Sequence, residues 1–210
     1  MKIVGICGSP KERGSNTRFL LEEAIAAASE TLTEADIGEY AAVILNLVEY
    51  DIRRCTGCDA CVRKKPCPES DEDDMPRIED ELRSADGIII AAPSYFTSVP
   101  GLLKDFIDRS RPMKMNDHEL KDKLFSAITY AGLRYGGQEP VIDSLNRYAL
   151  TQGMIVVGAV GSPVKGGFFG AGSMQTDEGR WRTSEGDQLA IDGSRLVGKR
   201  VAQVLLKMRG

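Results

Sequence analysis

Apolar runs that continue without alternation, each separated from the next by helical patterning, constrain this chain more than any other feature. Residues 3–6, 41–47, 87–92, 124–130 and 154–160 all read as strands of this kind. A strand with one wet face alternates apolar and polar residues, so an uninterrupted run points to burial on both faces. The first helix is expected over 16–30, where Leu20, Leu21, Ala24, Ile25 and Ala28 recur at helical spacing. Further helices are expected from the acidic stretch 69–74 to about Ala85, through Leu102, Leu103, Phe106 and Ile107 to near Arg111-Pro112, over 140–152, and over 188–208. This alternation predicts an α/β fold of three layers, a five-stranded parallel sheet with helices on both faces. Ligands of such sheets bind beyond the carboxyl ends of the strands. One domain over 1–210 is expected, with a cysteine-rich insert at 55–67 and an irregular glycine-rich tail at 161–186.

The loop between the first strand and first helix, Cys-Gly-Ser-Pro-Lys-Glu-Arg-Gly-Ser-Asn-Thr over residues 7–17, gathers donors at a helix start. The hydroxyls of Ser9, Ser15 and Thr17, the amide of Asn16 and the free N–H groups of the first turn suit a phosphate, which the helix dipole also favours. Helix capping and turn formation explain the same residues without a ligand. The loop has neither the G-x-G-x-x-G spacing of a dinucleotide fold nor the Gly-Lys-Ser/Thr ending of a P-loop, so a monophosphate fits better. Loops at 93–100 and 131–139 follow the third and fourth strands and are expected to line the same site.

The formal net charge of -4 and a pI near 5.2 give no sign of a nucleic-acid or anionic-membrane partner. The longest apolar stretches are far too short to span a bilayer. The chain runs from Met1-Lys2 straight into a strand, leaving no room for a signal peptide, and the cytoplasm is the expected location. Five cysteines in that compartment argue for metal or redox chemistry rather than disulfides.

The Gly-Ser-Pro…Gly-Ser-Asn-Thr loop, the segment Pro-Ser-Tyr-Phe…Val-Pro-Gly…Lys-Asp-Phe-Ile-Asp-Arg at 93–109 and Gly-Gly-Gln-Glu at 136–139 resemble the NAD(P)H-dependent FMN reductase group of flavodoxin-like proteins. The four-cysteine insert makes the chain similar, more narrowly, to the iron-sulfur flavoproteins of anaerobic archaea and bacteria. The resemblance covers about residues 1–165. It implies that Ser9, Ser15, Asn16 and Thr17 hold the FMN phosphate and that Arg13 helps neutralise it, although a loop arginine can equally be merely solvated. Pro93, Ser94, Tyr95 and Phe96 would contact the isoalloxazine; core packing under the turn is the alternative for the two aromatics. Gly132, Arg134, Gly136 and Gly137 would form the second wall, the glycines admitting close backbone approach. Asp108 and Arg109 match the family too and are read as structural residues at a helix end. Phe168, Phe169 and Trp181, in the tail, could cover the flavin or a partner subunit, or pack locally.

The run Cys55-x2-Cys58-x2-Cys61-x5-Cys67-Pro68 parallels the ferredoxin pattern C-x2-C-x2-C-x3-C-P, with a longer last spacer. Three closely spaced thiolates can take three corners of a cubane and the spacer carries the fourth around. Zinc, the main competitor, usually draws two separated ligand pairs. Arg53, Arg54, Arg63, Lys64 and Lys65 flank the run, either as a solvated basic face or as tuning charges. Cys7 is expected to be a buried strand-end residue and His118 to be exposed.

These readings converge on an electron-transfer flavoprotein: FMN and a [4Fe-4S] cluster coupling a ferredoxin-like one-electron donor to an acceptor, with no general acid or nucleophile. An NAD(P)H-dependent FMN or quinone reductase without a functional cluster is the alternative, and a non-catalytic redox sensor a second. The resemblance implies a homo-oligomer, dimer or tetramer.

Overall fold

In the computed structural model, residues 1–162, 164–165 and 167–209 are described. The first apolar run forms β1 (Lys2–Cys7), flanked in parallel by β2 (Ala41–Asn46) and β3 (Gly87–Pro93). β4 (Leu124–Ala131) pairs parallel with β3 along its whole length, and β5 (Ile155–Val156) adds to β4. The resulting order, β2-β1-β3-β4-β5, is the doubly wound order whose winding reverses between β1 and β3.

Successive strand residues feed opposite cores, because side chains alternate across a sheet. Val4, Ile6, Ile88 and Ile90 pack with α2 (Met75–Ser84), α3 (Gly101–Arg109), α4 (Arg111–Met115) and α5 (Gln138–Gln152). Ile3, Cys7, Ile89 and Ala91 pack with α1 (Asn16–Glu34) and α6 (Gln188–Arg209) on the other face. The three layers expected from continuous apolar strands are therefore present. Among the described residues no helix is long and apolar enough to cross a membrane.

Three elements depart from the sequence reading. The stretch 154–160 was expected to be one strand, but only Ile155–Val156 pairs with β4; after Val157 the chain leaves the sheet. It returns as β6 (Gly170–Ser173), which takes up the same edge of β4 from Ile128 to Ala131. The fifth lane is thus one strand split by a loop, and its second half lies inside the stretch read as an irregular tail. Pro163 and Gly166 of that tail lie outside the described residues. The residues of β6 gave no apolar signal because α6 presses directly on them: a Cβ on Gly172 would sit 2.4 Å from the Cβ of Ala190.

The acidic residues 69–74 do not begin α2: Pro68–Asp71 form a short 3-10 turn of their own. α2 starts at Met75, since Glu69 and Glu72 pair with Arg53 and Asp73 is drawn inward to Arg109. The helix expected to reach Arg111-Pro112 ends at Arg109, and Pro112 sits in the first turn of α4, where its missing N–H costs nothing.

Candidate functional site

Because β1, β3 and β4 are neighbours, the loops that leave their carboxyl ends are drawn together. Gly8 N–H donates to Ala91 O at 2.8 Å, and Ser94 N–H to Tyr130 O at 3.1 Å. The Ser94 hydroxyl donates to Gly136 O, tying the second loop to the third. Gly137, at φ 90°, is what lets them meet: a Cβ there would lie 2.5 Å from the Cα of Thr97.

In the first loop Ser15 is the N-cap of α1, its oxygen accepting from Arg18 N–H at 3.2 Å. Ser9 accepts from Lys11 N–H at 3.3 Å. Both hydroxyls keep their proton to donate. Ser9 and Thr17 are buried. Arg13, Ser15 and Asn16 line a cavity of about 420 Å³ whose far side is Thr183, Ser184 and Glu185 of the tail. Among the described residues Arg13 has no ion-pair partner, whereas Arg18, on the same cavity, pairs with Glu22 at 2.8 Å.

Pro93 closes β3, and the second loop turns tightly, with Tyr95 and Ser98 exchanging backbone hydrogen bonds at 2.9 and 3.0 Å. Phe96 and Thr97 occupy the turn at φ 50° and 63°, a region that costs a β-branched residue energy. The turn displays Phe96 completely to solvent and leaves Tyr95 44% exposed, so neither aromatic packs as core.

In the third loop Gly132 accepts at its carbonyl from Gln175 N–H, and Arg134 pairs with Asp177. Arg134 also lies 6.0 Å from the ring centre of Tyr135. Arg134 and Gly137 line a second cavity of about 720 Å³ with Thr97, Tyr135, Phe169 and Ser173. The residues expected to form one site therefore line two cavities at the same end of the sheet, Arg13, Ser15 and Asn16 in one and Arg134 and Gly137 in the other.

The sequence reading gave no role to two groups that shape these loops. Gln138 accepts from Gly136 N–H at 3.0 Å and donates to Leu133 O and Gly172 O at 2.9 and 3.2 Å, bracing the third loop against β6. Asp187, buried, caps α6 through Ala190 N–H, accepts from Ser173 N–H and pairs with Arg182 at 2.8 Å. Tyr130 donates to Ser173 O beside them, and burial, with the charge of Asp187, pushes its hydroxyl up to about 12. A lone Gln after two glycines and an Asp before an apolar run are the faint signals that could have marked them.

Cys55, Cys58, Cys61 and Cys67 all line one narrow cavity of about 20 Å³, walled by Asp108, Arg109 and Arg111. All four are free thiols. Among the described residues no three His, Cys, Asp or Glu side chains stand close enough to hold a metal ion, so the donors are gathered but not closed on a centre. The segment contains little regular structure; its most buried tie is Arg109. That guanidinium, 1% exposed, donates to Arg53 O at 2.9 Å ahead of the cysteines and to Ser70 Oγ at 3.3 Å and the Asp73 carboxylate behind them. Burial opposes its charge, but Asp73 and the Cys67 sulfur outweigh that and raise its pKa. Arg63 donates to Cys58 O at 2.8 Å, so it and Arg53 serve the loop's own structure. Arg54 and Lys64 make only exposed pairs at 3.7 and 3.3 Å. Cys7 is buried, which pushes its thiol up, and His118 is exposed.

Residues 1–167 match the family of NADPH-dependent FMN reductases. An iron-sulfur flavoprotein of Archaeoglobus fulgidus is 38% identical over 204 residues, 97% of this chain and 95% of that protein. One from Methanocaldococcus jannaschii is 33% identical over 205 residues, 98% and 97% of the two chains. An oxidoreductase from Corynebacterium diphtheriae superposes with a TM-score of 0.65 at 16% identity, over 99% of this chain and 98% of that one, a likeness of fold. With the β2-β1-β3-β4-β5 order and the three converging loops, the chain belongs to the NADPH-dependent FMN reductase family, among its iron-sulfur flavoproteins, and is an FMN-dependent oxidoreductase of flavodoxin-like fold.

Proposed function

We propose that the protein transfers electrons between a ferredoxin-like one-electron donor and an acceptor, using FMN at the three loops and a [4Fe-4S] cluster at Cys55, Cys58, Cys61 and Cys67. The observation that carries this reading is the gathering of four free thiols, and no other soft ligand, around one cavity beside α3. The same helix starts directly after the second flavin loop. Its nine residues span about 13 Å, so the two sites flank one short rigid element. When bound, the flavin supplies two-electron chemistry and the cluster single-electron chemistry.

The chain's own part is binding and electrostatics. Ser9, Ser15 and Thr17 hydroxyls, the first N–H groups of α1 and the amide of Asn16 donate to the phosphate, and Arg13 neutralises it. The backbone of Pro93, Ser94, Tyr95 and Phe96 and that of Gly132, Arg134, Gly136 and Gly137 enclose the ring. Arg109 keeps a fixed positive charge beside Cys67. In this reading one domain carries both cofactors and works in the cytoplasm. Phe96, Tyr135, Phe168 and Trp181, all exposed, support assembly into a dimer or tetramer.

The narrowness of the cysteine cavity favours a second reading, an NAD(P)H-dependent FMN or quinone reductase without a cluster. Anaerobic stopped-flow reduction separates the two. Cys58→Ser is expected to abolish flavin reduction by a one-electron donor protein while leaving the rate with NAD(P)H unchanged. Equal rates with the one-electron donor in wild type and variant would leave the plain reductase.

A further inference from the structure

The longest-range polar contact of the first loop is made with the tail. Asn16 Oδ1 accepts from Ser184 N–H at 3.0 Å and from the Ser184 hydroxyl at 3.2 Å, across 168 positions of sequence. A backbone N–H can only donate, so the side-chain atom facing it is the oxygen, and the amide NH2 of Asn16 is turned away from Ser184. Asn16 and Thr17 are the first residues of α1 and have no helical carbonyl to accept their own N–H groups. The orientation of one amide thus decides whether a further pair of donors, or an acceptor, stands beside those free N–H groups.

Ser184 is itself immobilised. It is 1% exposed and lies between Arg182 and Asp187, which pair at 2.8 Å. Arg182 Nε also donates to Ser173 O at 3.2 Å, and Asp187 accepts from Ser173 N–H at 3.1 Å, so the segment is bolted to the end of β6 and the start of α6. This segment lies beyond residue 167, where the family match ends. The cavity between it and the loop carries Arg13 and Arg18 but also Glu12, Glu22 and Glu185, so its net charge does not by itself attract an anion. Oriented donors have to supply the selectivity.

We infer that Ser184 is a positioning residue for the phosphate loop: it accepts no ligand itself but fixes the Asn16 amide with its NH2 presented to the flavin phosphate. This rests on the reading of residues 9–17 as the phosphate site. It gives the tail a task, the rear wall of a loop at the opposite end of the sequence.

The test titrates the flavin-free full-length chain with FMN and with riboflavin, which lacks the phosphate, by flavin fluorescence. Asn16→Asp keeps the acceptor for Ser184 but replaces the NH2 with negative charge, and is expected to weaken FMN by more than tenfold while riboflavin is unaffected. Ser184→Pro removes both donors at the first position of a short helical turn, where Pro is tolerated, and is expected to weaken FMN about tenfold. Ser184→Ala keeps the N–H and should weaken FMN about threefold, with Ser184→Thr restoring it. If Asn16→Asp leaves the preference for FMN over riboflavin intact, the phosphate reading of the loop falls. If Asn16→Asp lowers that preference and the Ser184 variants do not, or if they weaken both flavins equally, the positioning role is overturned. Should Ser184→Pro fail to fold, Ser184→Ala decides by the same comparison.

Discussion

The three loops proposed to hold FMN and the cysteine segment are held by different physics. Each of these loops leaves a buried parallel strand, so its position is fixed by ladder hydrogen bonds, and loop-to-loop contacts such as Ser94 with Gly136 only refine it. The cysteine segment has no ladder beneath it. Its buried tie is Arg109, whose partners lie on both sides of the four cysteines, and more exposed contacts of Arg53, Arg63 and Arg111 add to it. A site built on strand ends can be pre-shaped without ligand, whereas one tied by side-chain contacts alone keeps its donors nearby and leaves their final arrangement to any group they would bind.

Breaking the ion pair is the harshest test of that contrast. Arg109→Ala leaves the Asp73 carboxylate, buried to 0% exposure, with two backbone N–H donors but no counter-charge, and is expected to cost about 3 kcal/mol in urea unfolding. A loss under about 1 kcal/mol would mean the segment is held by something else. On the flavin side, Gly137→Ala drives a Cβ into Thr97 and imposes a positive φ on alanine. An expected cost of about 1–3 kcal/mol should show in the same unfolding experiment, with FMN affinity falling alongside. Unchanged FMN binding in a destabilised Gly137→Ala protein would uncouple the third loop from the flavin.

Ser15→Ala removes the N-cap of α1, worth about 1 kcal/mol, and is expected to weaken FMN more than riboflavin. Cys58→Ser has the smallest expected effect on the fold. The residue is exposed, so stability should stay within about 0.5 kcal/mol and FMN affinity should not change, while bound iron is lost. A Cys58→Ser protein that loses FMN would show that the two regions are not independent.

The strands and layers were legible because burial on two faces writes continuous apolar runs into a sequence; Ile88, Ile89 and Ile90 fall to opposite cores as that rule requires. The second half of the fifth lane was not, since Gly170 and Gly172 are chosen for how closely α6 approaches them rather than for apolar surface. The loop residues were legible as donor-rich helix starts and turns. What could not be read locally was anything set by long-range pairing: the inward draw of Asp73, which moved the start of α2, and the reach of Ser184 to Asn16. Arg109, read as a structural helix-end residue, does have that role, and it extends to the cysteine segment 42 positions before it.

The most direct test of the central claim is an anaerobic visible spectrum with FMN, iron, acid-labile sulfide and zinc quantified on one sample. The two-cofactor account predicts about one FMN with about four iron and four sulfide per chain, and no zinc. FMN accompanied by zinc, or by no metal even after anaerobic reconstitution with iron and sulfide, would contradict it and leave a flavin reductase with a metal-free or structural cysteine loop.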